Sequence, residues 1–346
     1  MYDPFTLLNV VIEHTAFAGA KERIELFRSG IERQQDAIVL ALVGPSGSGK
    51  SCLLDQIFDS EKPIETEEGM IHRHIRVTVP DEPTPKNMAE AILVKLDPSD
   101  RVKRYTKAQI TTRIQTLLEE CETRVIILEE FQHFYDSTTE RVWERESDWL
   151  KNLVEVKTSN GTKRLLIVSG LEDSMTVILQ NDQLRRRCRA AIELPCFSWR
   201  NAESAAEFVE CVGSFLNVMS KHVKLPDVKK EHMYYRSYCA TGGLIGHLKT
   251  LLTEVVLYAH KGGKREVALE DFDGAFQRYL CASPELRALT YRPFAKDFPT
   301  IPTRDNIATA ELIAKPPKPI PRRRRMTSGK AANTSFVAGS LAVTTV

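Results

Sequence analysis

GPSGSGKS, residues 44–51, fills every fixed position of the pattern G-x-x-x-x-G-K-[S/T]. An apolar run ending in Val43 precedes it and the apolar segment CLLDQIF follows it, so we expect the loop to join a buried strand to a helix. In that arrangement the backbone N–H groups of the loop point inward at phosphate oxygens. The stretch therefore predicts an α/β fold with a phosphate-binding loop.

The residues of this loop have separate predicted roles toward ATP and Mg²⁺. The glycines permit the backbone angles of the loop, Lys50 supplies positive charge to the β- and γ-phosphates, and the Ser51 hydroxyl ligates Mg²⁺. The predicted nucleotide-binding residues are Gly44, Pro45, Ser46, Gly47, Ser48, Gly49, Lys50, Ser51 and Cys52.

β-rich apolar runs alternate with helical patterns around the loop, which is typical of a parallel sheet covered on both faces. Helical spacing of apolar residues fills the gaps between these runs, and the sequence after Phe197 is wholly helical in pattern. We therefore predict a parallel five-stranded sheet followed by a small helical lid. The five predicted strands are AIVLALVG (37–44), IHRHIRVTV (71–79), RVIILEE (124–130), KRLLIVSG (163–170) and AAIELPCF (190–197).

Four segments follow from this pattern. The basic, proline-rich run KPPKPIPRRRR at 315–325 fits neither helix nor strand, so we predict that the chain ends in an extended tail. The tail is interpreted either as a docking segment for DNA or protein, or as an unstructured end with incidental charge. The predicted segments are 1–36, leading to the adenine pocket; 37–197, the α/β ATPase core; 198–283, the helical lid; and 284–346, the extended basic, proline-rich tail.

Composition excludes several classes of protein. The 346 residues carry a net charge of +2, so nucleic-acid binding would have to come from local basic patches. The chain has no run of roughly 18 apolar residues, and acidic residues stand where a secretory signal would be basic. Seven cysteines without a C-x-x-C pair argue against a disulfide framework and against a zinc ribbon. These features predict a cytoplasmic protein with no membrane partner.

VIILEEFQHF supplies the acidic residues that ATP chemistry needs at the end of a buried strand. Glu129 is predicted to hold Mg²⁺ and Glu130 to act as the general base that polarises water. Glutamate stands at the first position where aspartate is usual, and the extra methylene displaces the carboxylate, so slow hydrolysis is expected. The alternative is a pair of acidic residues that simply ends a strand, and we interpret His133 as a loop histidine.

Two further positions have predicted catalytic roles. Ser169, at the end of the fourth strand, is a candidate sensor between the acidic residues and the γ-phosphate. The segment NDQLRRRCR precedes the fifth strand, where an arginine can face a neighbouring subunit's nucleotide and stabilise charge on its γ-phosphate. Arg187 is the first candidate for this arginine finger and Arg186 the second. The alternative is a basic helix end that interacts with the helix dipole.

The phosphate loop, EEFQHF, the S-G strand end and QLRRR occur in the order and spacing of AAA+ ATPases, and the chain resembles the TniB/TnsC transposition regulators. The likeness begins near Phe17, where F-x-G-x-x-E resembles the box that leads to the adenine pocket, and extends to about Tyr258. TGGLIGHLKTLL resembles the lid of those proteins, but it has no arginine at the position of the second sensor. His247 and Lys249 are the candidates to replace it.

This resemblance implies an ATPase that oligomerises with ATP as a ring or helical filament on duplex DNA. It also implies that the protein couples a target selector of the TniQ type to the transposase, with hydrolysis driving disassembly. By similarity to the DNA-contacting loop of the family, SDRVKRYTKAQ is predicted to face the DNA; the alternative is a solvated helix start. The predicted DNA contacts are Arg101, Lys103, Arg104 and Lys107.

Two other functions remain open. One is a DNA-remodelling or loader ATPase of the replication-initiator type, which the lack of a recognisable winged helix after the lid disfavours. The other is a nucleotide-gated scaffold that hydrolyses little ATP, which Glu129 and the missing lid arginine favour.

Overall fold

The computed structural model of the chain describes residues 6–33, 36–67, 69–99, 106–134, 149, 150, 153, 155, 163–180, 182–280 and 291–314. Its centre is a parallel five-stranded sheet, and a short antiparallel hairpin lies beside it. The sheet has the order β4-β5-β6-β1-β7. The strands are β1 (Ile38–Val43), β2 (Ile64–Thr66) and β3 (Gly69–Ile71) of the hairpin, β4 (His74–Thr78), β5 (Val125–Glu129), β6 (Leu165–Gly170) and β7 (Cys188–Glu193).

The predicted five-stranded parallel sheet is confirmed, with differences at two strand boundaries. The run predicted as one strand over 71–79 is divided, because Ile71 pairs back with Ile64 in the hairpin and β4 begins at His74. β7 begins before the predicted residue 190 and ends at Glu193. Pro195 lies just beyond this end and has no N–H to continue the ladder.

Helices cover both faces of the sheet because the side chains of β1 alternate between two cores. Val39, Ala41 and Val43 pack with the helices on one face, whereas Leu40 and Leu42 pack with those on the other. Strand β1 is therefore buried along its whole length. The helices of this part are α1 (Thr15–Ser29), α2 (Lys50–Phe58), α3 (Pro85–Leu96), α4 (Lys107–Glu120), α5 (Asp173–Gln180) and α6 (Asp182–Arg187).

The chain after the sheet is helical, as predicted, and forms a lid with its own apolar core. The N-terminal segment joins this core through Leu7, which is buried among the lid residues, before the chain enters α1. The lid comprises α7 (Ala202–Ser220), α8 (Lys230–Thr241), α9 (Ile245–Lys261), α10 (Leu269–Ala275) with a π-helical turn at Phe276–Leu280, and α11 (Arg304–Ala314).

The prediction of an extended tail from residue 284 is wrong for residues 291–314. This segment packs into the lid core with three buried aromatic rings, and α11 packs against α8. The buried guanidinium of Arg236 holds it in place, donating hydrogen bonds to the carbonyl oxygens of Pro293, Ala295 and Phe298 at 2.8, 2.6 and 3.3 Å. The basic run at 315–325 lies outside the described residues.

Candidate functional site

The phosphate loop runs from the end of β1 to the start of α2, as the sequence predicts. Gly49 has a φ of 101° at the N-cap of α2, a conformation that favours glycine because a β-carbon would be strained there. The loop therefore leads directly into α2. The N–H groups of the first turn of α2 have no partner within the helix and are available to phosphate oxygens.

A cleft of about 370 Å³ lies beside this loop. It is large enough for a small ligand and is formed by segments that are distant in sequence. The loop supplies Ser46, Gly47 and Lys50 to its wall, the segment after β5 supplies Glu130, and the lid supplies Gly246. The cleft thus brings together the predicted nucleotide-binding residues and the predicted general base.

The side chain of Lys50 is held over the phosphate loop by hydrogen bonds to two backbone carbonyls of the loop. Its ammonium donates hydrogen bonds to the carbonyl oxygens of Gly44 at 2.8 Å and Pro45 at 2.9 Å. Burial lowers the pKa of Lys50, while the nearby carboxylates of Glu130 and Glu129 oppose that shift. An ammonium has three donors, so a third hydrogen bond is available for a phosphate oxygen.

Glu130 has an unusual backbone, with a φ of 56° in the left-handed region. Such a conformation costs about 1–3 kcal/mol for a residue other than glycine and persists where neighbouring contacts fix it. Gln132 provides such a contact: its Nε2 donates to Glu130 Oε2 at 2.5 Å and its Oε1 accepts from the N–H of Leu171 at 3.1 Å. Buried Gln132 therefore ties Glu130 to the end of β6, a role that the sequence analysis missed.

Glu129 and Ser51 fit a shared magnesium ion. The Ser51 hydroxyl donates to Glu129 Oε1 at 3.1 Å. Neighbouring ligands of an octahedral magnesium with Mg–O bonds of about 2.1 Å lie roughly 3 Å apart, so the two oxygens have suitable spacing. Among the described residues no group of three or more His, Cys, Asp or Glu could hold a metal. A magnesium ion at Ser51 and Glu129 would therefore need phosphate and water oxygens as its other ligands.

Arg76, on β4, also binds Glu129 and was not predicted as a site residue. Its Nε donates to Glu129 Oε2 at 2.6 Å and its Nη2 to Glu129 Oε1 at 3.0 Å, so the pair is bidentate. The same guanidinium pairs with Asp55 and donates to the Ser51 carbonyl at 3.3 Å. The parallel pairing of β4 with β5 brings these residues together.

Ser169 lies near the carboxyl end of β6, where the sequence places the candidate sensor. β6 stands between β5 and β1, so buried Ser169 lies between the acidic residues and the phosphate loop. Its carbonyl accepts a hydrogen bond from the N–H of Phe131 at 3.0 Å. This contact fixes the turn that carries Glu130 beside the cleft.

Arg187 and Arg186 lie at the opposite end of the sheet from the phosphate loop. They line a second, smaller cleft with Asp36, which precedes β1. Since β1 has six residues, about 20 Å of strand separates this cleft from the loop. Arg187 pairs with Glu155 and donates to the carbonyl of Gln183 at 2.7 Å. Neither arginine can reach the phosphate loop of its own subunit.

The lid contacts the phosphate loop directly. The N–H of Gly246 donates to the Gly47 carbonyl at 2.8 Å, and the His247 ring lies so close to Gly47 that a β-carbon there would be 3.1 Å from it. Burial lowers the pKa of His247, which favours the neutral form of this ring. Lys249 lies close enough to Cys52 to lower the pKa of that thiol, against the larger effect of burial. Of the two lid candidates, Lys249 thus brings positive charge.

Phe17 lies beside the phosphate loop, and the centroid of its ring is 5.9 Å from that of His14. The buried ring of Phe17 lies next to Gly49 of the phosphate loop. His14 is also buried, and its ring packs edge-on against Phe197, which precedes the lid, with 5.0 Å between ring centroids. The Nδ1 atom of His14 has no hydrogen-bond partner among the described residues. This aromatic group therefore connects α1, the loop and the lid.

Three of the four predicted DNA contacts lie outside the part of the chain that the structure describes. Arg101, Lys103 and Arg104 lie outside the described residues, and Lys107 is the first residue of α4. Thr106, just before it, caps α4 through a reciprocal pair of hydrogen bonds with Gln109.

A family model described as bacterial TniB protein matches residues 10–199, more than half of the chain. Among curated proteins, none matches this sequence. Within the part of the chain that the structure describes, no helix is both long and apolar enough to cross a membrane.

Solved structures of low sequence identity share the fold. ORC2 from Aeropyrum pernix in its ADP form has 14% identity and a TM-score of 0.59, with 80% of this chain and 73% of that chain covered. Cdc6p from Pyrobaculum aerophilum has 10% identity and a TM-score of 0.57, with 83% and 73% covered. A. pernix ORC1 in complex with DNA has 12% identity and a TM-score of 0.57, with 80% and 69% covered. The fold is that of AAA+ ATPases.

Proposed function

The chain belongs to the TniB family, a transposition-associated family of AAA+ ATPases, and from that premise we propose that it is an ATP-dependent, DNA-binding regulator of transposition. One observation carries the proposal: a single cleft combines a complete phosphate loop with Glu130, while the arginines of α6 lie at the far end of the sheet. Such a subunit binds ATP by itself and completes its catalytic site only in an assembly.

Within the cleft we assign ATP to the loop, Mg²⁺ to Ser51 and Glu129, and the attacking water to Glu130. The Lys50 ammonium and the loop N–H groups hold the phosphates in line for displacement. Gln132 keeps the Glu130 carboxylate in place to accept a proton from water. Magnesium, when bound, neutralises charge that develops on the phosphate oxygens.

Assembly follows from the position of Arg187. Because it lies about 20 Å from its own loop, we propose that it serves as the arginine finger for the neighbouring subunit, with Arg186 as the second candidate. To act in this way, Arg187 must exchange its pairing with Glu155 for the neighbour's γ-phosphate. The ring or filament that results would surround duplex DNA.

Toward DNA we assign Arg101, Lys103, Arg104 and Lys107, which would contact phosphates in the central channel with little sequence preference. One solved structure of the same fold, A. pernix ORC1, is a complex with DNA. The DNA-bound assembly would link a target selector of the TniQ type to the transposase, and hydrolysis would disassemble it. The basic tail is a candidate contact for either partner.

A second candidate function is a nucleotide-gated scaffold with little hydrolysis. It is favoured by Arg76, which holds both carboxylate oxygens of Glu129 and so competes with magnesium for them. The likeness in fold to ORC and Cdc6 proteins keeps the replication-initiator type as an alternative class.

DNA binding can be tested by fluorescence anisotropy of a labelled duplex over a series of salt concentrations. With ATP, the affinity for DNA should fall steeply as the salt concentration rises. The double variant Lys103→Ala/Arg104→Ala should bind DNA more weakly, and its salt slope should decrease by the equivalent of about two phosphate contacts. In the presence of ATP, the Lys50→Ala variant should bind DNA with the affinity that the wild type has in the absence of ATP. Unchanged affinity and slope in the double variant would remove these residues from the DNA interface.

A further inference from the structure

We propose that Arg76 is a fixed counter-charge to Glu129 that allows this protein to bind ATP with little dependence on magnesium. The inference rests on the proposed function in one respect, namely that the cleft at the phosphate loop binds ATP. It concerns a residue outside the loop and outside the predicted catalytic set.

The geometry shows a guanidinium built into the position next to the magnesium ligands. Arg76 makes two hydrogen bonds to the Glu129 carboxylate, at 2.6 and 3.0 Å, and a third to the Ser51 carbonyl at 3.3 Å. Asp55, one turn further along α2, pairs with the same guanidinium. Four hydrogen bonds to three groups, which lie on β5 and α2, thus fix Arg76, and only 23% of its side chain is exposed.

The charges around the loop explain why such an arginine matters. Glu129 and Asp55 are two carboxylates beside a site for a polyanion, and the electrostatic effect of Glu129 reaches as far as the Lys50 ammonium. Without a cation, their negative charge would repel the phosphates. In most phosphate-loop sites magnesium supplies that cation, whereas Arg76 is already present here as part of the protein.

Arg76 is also permanently charged. The guanidinium of an arginine stays protonated in proteins. Its charge is therefore constant over the working pH range, and it cannot leave the site by diffusion as an ion can. The simpler reading is that Arg76 only joins β4 to β5 and α2, and the two readings predict different nucleotide binding.

The test is the dissociation constant of ATP, measured by isothermal titration calorimetry in excess EDTA and again in excess magnesium. The full-length wild type should bind with constants that agree within about threefold. In EDTA the affinity of Arg76→Gln for ATP should fall about 10- to 100-fold, since one unit of negative charge beside the phosphate site is then uncompensated, and the affinity should recover in magnesium.

Two further variants keep the test valid if Arg76→Gln folds poorly. Arg76→Lys retains the charge and should retain binding in EDTA. Adding Glu129→Gln to Arg76→Gln removes both charges and should restore binding in EDTA, which a purely structural role of Arg76 does not predict. Arg73→Gln is the matched control, because Arg73 is an exposed arginine three residues earlier, and it should bind as the wild type does.

Several results would overturn the inference. In the first, ATP binding by the wild type depends on magnesium as strongly as binding by Arg76→Gln does. In the second, Arg76→Gln binds ATP in EDTA as tightly as the wild type does. In the third, adding Glu129→Gln to Arg76→Gln does not restore ATP binding in EDTA. In each of them ATP still binds, so the proposed function survives. If instead the wild type binds ATP in neither buffer and equals Lys50→Ala, the proposed function fails together with this inference.

Discussion

Replacement of Gln132 by methionine tests how Glu130 is held for catalysis. Methionine has nearly the volume of glutamine, so packing changes little, but the hydrogen bonds to Glu130 Oε2 (2.5 Å) and from the Leu171 N–H (3.1 Å) are lost. A hydrogen bond to a charged group contributes about 1.5–3 kcal/mol. If most of that contribution orients the carboxylate, the rate of ATP hydrolysis should fall roughly 10- to 100-fold.

The assay is phosphate release in the presence of DNA, together with ATP affinity by titration. Affinity should stay within about threefold, because the phosphates are held by the loop rather than by Glu130. Gln56→Met, at an exposed glutamine on α2, is the matched control and should hydrolyse ATP at the wild-type rate. An unchanged rate in Gln132→Met, or an equal loss in both variants, would refute the positioning role of Gln132.

Arg187→Ala should leave the affinity for ATP unchanged but reduce the rate of ATP hydrolysis in the assembly by about 100-fold or more. Mixing this variant with Glu130→Gln should restore part of the rate, because an interface between the two variants can combine an intact Arg187 with an intact Glu130. Loss of ATP affinity in Arg187→Ala would contradict this. Burial lowers the pKa of His247, so the unfolded chain binds more protons than the folded one, and the stability of the protein should fall as the pH drops below about 6.5. The melting temperature of His247→Gln should therefore fall less between pH 8 and pH 5 than that of the wild type. An identical fall in both proteins would contradict this prediction. Arg236→Met should cost about 2–4 kcal/mol of unfolding free energy in urea, because three carbonyls of residues 293–298 lose their donor, and a loss below about 1 kcal/mol would mean that the segment is held otherwise.

The sheet and the loop could be predicted because their signals are local. The apolar run 38–43 is long enough for one strand, and the pattern that follows it fixes where a helix must start. The alternation of strands and helices then leaves few topologies, since parallel strands need crossovers between them. The place of Glu130 beside the loop follows from this, because carboxyl ends of parallel strands meet at one edge of the sheet.

The partners of the acidic residues could not be predicted, since they depend on contacts between distant parts of the chain. Arg76 looks like any polar residue of a strand, and only the pairing of β4 with β5 brings it to Glu129, 53 positions away. Gln132 follows Glu130 by two positions, but the left-handed backbone at Glu130 is what directs the two side chains together.

The segment 291–314 was missed for a related reason. Its prolines and charges resemble the basic run that follows, and its aromatic residues have no helical or strand period. The buried guanidinium of Arg236 satisfies its backbone carbonyls without a regular ladder. An irregular segment of this kind is stabilised by one side chain from another element, which no local pattern reveals.

The central claim is ATP-dependent assembly on DNA, and electron microscopy of the purified protein with duplex DNA tests it most directly. Samples with a non-hydrolysable ATP analogue, with ADP and with no nucleotide are compared with Lys50→Ala under the same conditions. Rings or filaments on DNA should form with the analogue and be absent in Lys50→Ala. A protein that stays monomeric and off DNA with every nucleotide would contradict the proposed function, although its phosphate loop could still bind ATP.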